Sequence, residues 1–519
     1  MNLMNTISAY IDNGDFNKAK LLCFDLLESL KHNPEKSETL DLILFNLAGF
    51  FVDLGHMAGK PNLSHIGFDI MTDNQKKFLK IVAPSNFYYN LANAKTNLIS
   101  EENSFDLTFE NIEELVEAKN YYWKALRESQ NEGEQKLELF VNLANILKRQ
   151  FRLSESLRYY DIVNSHNFDI PQSHTNRSDT LKMLNVVSNS YSVKMIQEIS
   201  QGYKTASKST AIPPSWTDYY KQEAVDNEAK IAEFILDKND EESTRVEYEN
   251  LSSYRKFCIE NHLTLSEHGL YCSCSGSARD NLTIPLTQQS IQGTFVPRME
   301  MVLNRVKSEY SLARRNYYEY LHPAKEYESL LHEDCFTELC NKEMLGIPVE
   351  KIRSSFRLCF GILDKIALAV CDLYKIPQKG PIYFHNFWRL NKDGRREIFE
   401  AVKNPGLLAL YSIATDLNMH KNGEWACFKD WRNALEHSFF VILEEESKID
   451  PYKSLSATKE GEIVYIEDFK IFLLQLLLLT RSAIFSFVFS VRNFALEQPT
   501  INAGINCKFE RKNFNGSTY

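Results

Sequence analysis

Residues 428–442 read Phe428-Lys429-Asp430-Trp431-Arg432-Asn433-Ala434-Leu435-Glu436-His437-Ser438-Phe439-Phe440-Val441-Ile442. On a helix of about 100° per residue, Phe428, Trp431, Leu435, Phe439 and Ile442 fall on one stripe about 80° wide, the face that packs on its own domain. Asn433 and His437 take the opposite face, and Arg432 and Glu436 flank the stripe. Phe440 and Val441 are apolar yet lie off it. A helix apolar on two sides packs on two sides, so the pattern predicts a second surface, such as a dimer partner, against the His437 face. Between Arg432 and His437 stand a phosphate-binding guanidinium, a polar amide and an imidazole that titrates near neutral pH. Metal-free RNA cleavage needs that set, a proton carrier and a cation for the crowded phosphate.

The spacing alone does not decide the matter. It recurs at Arg315 and His322, where Pro323 ends the helix and a cationic side chain suits the helix dipole. Arg432 and Glu436 also have the i,i+4 spacing of an ordinary surface ion pair. The surrounding sequence separates the two sites.

Residues of about 296–497 resemble the HEPN superfamily (higher eukaryotes and prokaryotes nucleotide-binding), compact all-α bundles with an Arg-x4-6-His motif on a late helix. The residue after the Arg is commonly Asn, Asp or His, and here it is Asn433. Met299 to Leu321 is similar to the long first helix of one prokaryotic branch, and Ser354 to Asp372 to its third, with the Leu363-Asp364-Lys365 step intact. Pro405 to Leu417 and Trp431-Arg432-Asn433 complete the series. Tyr254 to Cys258 and Glu260 to Leu263 also resemble sequence that precedes the domain in that branch. The resemblance implies a metal-independent endoribonuclease built at a homodimer interface, leaving 2′,3′-cyclic phosphate and 5′-OH ends. His437 would then be the general acid or base, Arg432 would stabilise the phosphorane, and Asn433 would orient the imidazole or the phosphate. Glu309, Arg314 and Glu436 are further candidates for supporting the site or contacting RNA. Proteins of this design resemble toxin or antiviral-defence effectors. The alternative is a non-catalytic adaptor that dimerises and binds a partner protein or nucleotide.

The 519 residues suffice for several domains, with 44% hydrophobic and 25% charged residues, 33 Phe and 25 Tyr. Gly (19) and Pro (15) are scarce, which favours an all-α chain. Residues 1–290 carry 29 Lys+Arg against 40 Asp+Glu, and residues 291–519 carry 30 against 29. Neither half is a broad basic surface, so RNA contact would be local. Ten cysteines without framework spacing, and Met1 leading straight into an amphipathic helix, predict a reduced cytoplasmic protein. Ile471 to Val491 is long enough to span a membrane, but Arg481 interrupts its centre and the resemblance makes it the last buried helix.

In the N-terminal half, Phe45 to Phe50, Tyr89 to Ala94 and Val141 to Ile146 are similar segments. Gly14-Asp15-Phe16 with Ala19, Leu26 and Leu27 has the turn-and-helix spacing of a tetratricopeptide repeat. Ala118, Tyr122, Ala125 and Leu126 repeat it, as do Arg152, Ser156 and Tyr160 with Pro171 beyond. Residues 1–170 are thus expected to form a tetratricopeptide-like array whose acidic concave surface binds a protein or peptide. Residues 171–295 are a helical middle region, with helices near Asp179–Tyr203, Pro214–Leu236 and Glu241–Asn261 and a linker from Thr205 to Ser215. The bundle occupies 296–500, and 501–519 is a tail. Cys258, His262, His268, Cys272 and Cys274 are close in sequence, but their spacing is not a clean zinc pattern, and free cysteines are the expectation, with no metal or other cofactor. No Gly-rich phosphate loop is present.

Overall fold

The computed structural model describes residues 2–33, 37–99, 105–133, 136–190, 192–231, 240–284, 295–323, 342–392, 394–445 and 462–497. The first half is a run of helices: α1 (Asn2–Asp12), α2 (Phe16–His32), α3 (Glu38–Met57), α4 (Pro61–Asp73), α5 (Gln75–Ile81) and α6 (Pro84–Leu98). It continues with α7 (Phe105–Glu110), α8 (Ile112–Asn131), α9 (Leu137–Arg149), α10 (Leu153–His166), α11 (Pro171–Ser188), α12 (Val193–Ala206) and α13 (Pro214–Ile231). Pro61, Pro84 and Pro171 open their helices where a missing N–H costs nothing. From α8 on, each helix packs on the next, as in a solenoid. The three similar segments lie on α3, α6 and α9 and their partners on α2, α8 and α10, with Ala48, Ala92, Ala118, Ala125 and Ala144 all fully buried. Small side chains there let neighbouring axes approach. This helical array runs past residue 170, because α11, α12 and α13 extend the same stacking.

The middle region departs from the expected pattern at two points: the helix expected over Glu241–Asn261 is broken at residues 250–252, and an earlier one is broken as well. The helix anticipated over Asp179–Tyr203 is two helices, since Asn189 turns into the left-handed region (φ 50°) and ends α11. After α13 come α14 (Asp240–Glu249), α15 (Ser253–Glu260) and an irregular stretch to Ile284 with short turns at His268–Leu270 and Ser277–Arg279.

The C-terminal bundle is built on α16 (Phe295–Leu321), α17 (Ile347–Leu373) and α21 (Ile466–Glu497), which pack on one another. Between α17 and α21 lie α18 (Arg395–Val402), α19 (Pro405–Asp416) and α20 (Cys427–His437). Gly406 allows α19 to touch α21, where a Cβ would stand 2.4 Å from the Ser486 carbonyl oxygen. Helices α3 and α21 are long and apolar enough to cross a membrane, but 78% of the most apolar window of α21 is buried inside the protein. Arg481, at its centre, donates to the Thr264 carbonyl (2.8 Å) and is not left bare. The fold among the described residues is all-α apart from a two-stranded parallel ribbon, β1 (Phe440–Leu443) with β2 (Glu462–Tyr465), in which Phe440 pairs with Glu462. The C-terminal tail, 501–519, lies outside the described residues.

The array and the bundle meet along a buried seam. Lys119 of α8 forms an ion pair with Asp416 at the end of α19 (2.5 Å) and donates to Thr415 Oγ1 (2.9 Å) and the Ser412 carbonyl (3.1 Å). Arg152, just before α10, reaches the other oxygen of Asp416 (2.5 Å) and grips Glu155 with two nitrogens (2.6 and 2.7 Å). Lys119, Arg152 and Asp416 have fully buried side chains. Beside them Trp123 of α8 packs on Trp425 at 5.8 Å. Trp425 stacks on Phe428 in α20, at 5.4 Å. Gly423 permits the intervening turn, since a Cβ there would lie 2.2 Å from the Thr415 carbonyl oxygen.

Candidate functional site

Helix α20 is fixed by its inner stripe. Phe428, Trp431 and Ala434 are buried, and Trp431 lies 5.2 Å from Phe472, 5.4 Å from Phe440 and 6.0 Å from Phe356 between ring centres. The helix is shorter than its sequence pattern suggests. It ends at His437, and Phe440 to Leu443 form β1. Phe439 is therefore half-exposed (51%), while Phe440 and Val441 are buried in the ribbon of their own chain. The second apolar side that predicted a partner surface is thus satisfied within the chain.

Arg432 follows Trp431 and turns onto α17 and the loop after it. Its guanidinium lies over the rings of Tyr383 (5.4 Å) and Phe360 (6.0 Å), and Nη2 donates to Asp364 Oδ2 at 3.4 Å. Asp364 Oδ1 accepts the Phe384 N–H at 2.9 Å, so the carboxylate is oriented independently of Arg432. Burial pushes the Asp364 carboxyl up, against the pull of the Phe384 N–H, Arg432 and Lys365. This partner replaces the i,i+4 pairing with Glu436. Glu436, Asn433 and His437 are all exposed on the outer face of α20.

Next to Arg432 stands a second imidazole. His385, half-buried, is pushed down to about 4 by burial and then by the positive charges of Lys429, Arg432 and Arg389. It is neutral at pH 7, with three cations, Lys429, Arg432 and Arg389, gathered around it. Its ring stacks near Tyr383 at 6.1 Å, and its carbonyl accepts from Asn418 Nδ2 at 2.7 Å. The motif spacing did not reveal Asp364, Tyr383, His385, Lys429 or Arg389 as members of the site. A usable signal was the Asp364-Lys365 step in the third-helix resemblance.

The further candidates divide. Glu309 of α16 accepts from Lys365 Nζ (2.9 Å) and Arg305 Nε (2.7 Å), so it braces the residue adjacent to Asp364. Arg314 is not a surface group. It is 1% exposed, donates to Asp280 with two nitrogens (3.0 and 2.6 Å), to the Leu263 carbonyl (2.6 Å) and to Tyr254 Oη (3.0 Å). Its task is to tie the middle region to α16, which removes it as an RNA contact. The rival pair is structural as well: Arg315 bonds Glu319 (2.8 Å), and His322 packs on Tyr318 (4.8 Å) and Phe257 (5.7 Å).

Residues 291–493, which include the C-terminal bundle, match the family model of the LA2681-like HEPN domain. No curated protein matches the chain.

Proposed function

We propose that the protein is a HEPN-type endoribonuclease in which Arg432, Asn433 and His437 cut RNA without a metal. The observation that carries this reading is the division of labour on α20. Arg432 is held from behind by Asp364, Tyr383 and Phe360 within a cluster of cations, while Asn433 and His437 stand open to solvent on the same helix. A fixed guanidinium with unused donors is suited to charge that develops on a phosphorane, and an exposed imidazole to proton transfer. The ribose 2′-oxygen forms a bond to phosphorus as the bond to the 5′-oxygen breaks. His437 takes the 2′-OH proton or supplies one to the departing 5′-oxygen.

Residues five apart on a helix point about 140° from each other, and Arg432 indeed faces inward while His437 faces out. A two-fold pairing of domains brings His437 of one protomer toward the partner's Arg432, resolving that divergence. Half-exposed Phe439 and Ile463, on segments joined by the Glu462 N–H to Phe439 carbonyl bond (3.0 Å), supply apolar area near His437 for such a contact. The helical array, acidic overall, would bind a protein or peptide trigger. Its seam reaches α20 through Trp123, Trp425 and Phe428, so a ligand on the array has a packed route to the motif. That is the design of a toxin or antiviral-defence effector.

The test is incubation of purified protein with total RNA and tRNA in EDTA beside His437→Ala, followed by analysis of fragment ends. Cleavage lost in the variant, with cyclic-phosphate and 5′-OH ends, supports the reading. Equal cleavage by both proteins overturns it.

A further inference from the structure

Five potential metal ligands occur between Cys258 and Cys274, and the fold sorts them. Cys258 is fully buried on α15 beside the Arg314–Asp280 pair. His262 sits in the left-handed region (φ 52°), and burial followed by the charges of Arg481, Arg158 and Arg177 pushes its imidazole down to about 3. The same guanidinium charges oppose a metal cation there. The other three converge. One ring nitrogen of His268 and the Sγ atoms of Cys272 and Cys274 all lie within 4.8 Å of one another.

The local backbone builds this cluster. The His268 carbonyl accepts both the Tyr271 N–H (3.1 Å) and the Cys272 N–H (2.7 Å), folding Cys272 back over the imidazole. The Cys274 N–H donates to Cys272 Sγ (3.4 Å), an interaction that favours a thiolate. The Cys274 carbonyl accepts from the Ser277 N–H (3.0 Å) and hydroxyl (2.6 Å), and Glu247 holds the Ser275 N–H (2.8 Å). Within this bonded loop, His268 Nδ1 is buried with no hydrogen-bond partner. An unpaired buried nitrogen of that kind is costly unless something fills its place. Tetrahedral zinc with two sulfurs and one nitrogen needs donors roughly 3.6–3.8 Å apart, given its usual bond lengths. The donor atoms, none more than 4.8 Å from another, stand within about 1 Å of that spacing.

We infer that His268, Cys272 and Cys274 form a binding site for a soft divalent cation of the zinc class, with a fourth position open to water. Two thiolates and an imidazole select such an ion over magnesium or calcium. The site lies in the irregular stretch clasped by the last bundle helix. Arg481 bonds the Thr264 carbonyl (2.8 Å), and Arg492 bonds Glu267 (2.6 Å) and the carbonyls of Thr283 (2.6 Å) and Ser188 (2.8 Å). A bound ion there acts as a staple for a segment that has little regular structure of its own, and it is independent of Arg432 and His437.

The experiment is elemental analysis of the purified, reduced full-length chain, followed by cobalt(II) titration of chelator-stripped protein. We expect about one zinc per chain and thiolate-to-cobalt charge-transfer absorption saturating at about one equivalent. His268→Ala and the double variant Cys272→Ser/Cys274→Ser should lose both signals, whereas Cys258→Ser should keep them. Absence of both zinc and cobalt charge transfer in the reduced wild-type chain would overturn the inference. Full metal occupancy in the double variant would do the same. If the variants fail to fold, the wild-type cobalt spectrum still decides, because it reports thiolate coordination directly.

Discussion

The seam around Asp416 and the outer face of α20 are both built from charged residues, yet they use charge in opposite ways. At the seam, Lys119, Arg152, Glu155 and Asp416 balance one another, and each has short, multiple bonds in the absence of solvent. Burial, with the neighbouring Arg152 charge, pulls the Lys119 ammonium down to about 8 despite Asp416 beside it. On α20, Arg432 keeps one long bond to Asp364, and Asn433 and His437 meet solvent. A saturated network fixes structure, because every donor is already used. A guanidinium held on one side and an open imidazole keep bonding capacity for something that is not yet there. Only the second arrangement suits chemistry.

The largest effect should come from the seam. Asp416→Ala leaves two buried cations facing each other, which costs about 3–5 kcal/mol. Urea denaturation should show it as a lower midpoint. A loss below about 1 kcal/mol, the level of exposed ion pairs, would mean that the seam is solvated and the contrast false. His437→Ala should behave the other way. Cleavage should fall about 10³-fold, roughly 4 kcal/mol in transition-state terms, with an unchanged melting temperature because the side chain is exposed. A large drop in melting temperature would return His437 to a structural role.

Arg432→Lys sharpens the same contrast. Lysine keeps the charge but loses the planar fork and the stacking over Tyr383 and Phe360. We expect a rate loss of about 10- to 100-fold, measured as single-turnover cleavage. Wild-type rates in that variant would show that only a point charge is needed.

What could be read beforehand follows the same divide between local and distant causes. The inner stripe of α20 was legible at Phe428 and Trp431, since a 3.6-residue period is local, and the long bundle helices were legible for the same reason. The end of the helix was not. Phe439 and Ile442 fit the helical stripe, and the strand from Phe440 wins only because residues 462–465 return to pair with it. Asp364, His385 and Arg389 could not be tied to Arg432 because α17 supplies the first from 68 residues away and the loop after it supplies the others. Arg314, a candidate for supporting the site or contacting RNA, could not be recognised as a buried tie because its partner, Asp280, is 34 residues upstream.

Glu424 gives the smallest effect and tests the edge where the two regions meet, between the seam and the start of α20. Its carboxylate accepts from Arg127 at 2.9 and 3.1 Å, yet burial pushes it up to about 7, with Asp416 adding to the rise and Arg127 opposing it. The folded state therefore holds a proton that the unfolded state releases above its ordinary value near 4.5. The stability from this group is fully present below about pH 4.5 and is lost as pH rises through about 7. Glu424→Gln cannot ionise, so it should match the wild type near pH 5 and exceed it at pH 8 by on the order of 1 kcal/mol. Urea denaturation of both proteins across that range isolates the difference from all other titrating groups. A difference that does not change with pH would show that Arg127 keeps Glu424 ionised throughout, and that the seam's dry interior stops short of the turn leading to the motif helix.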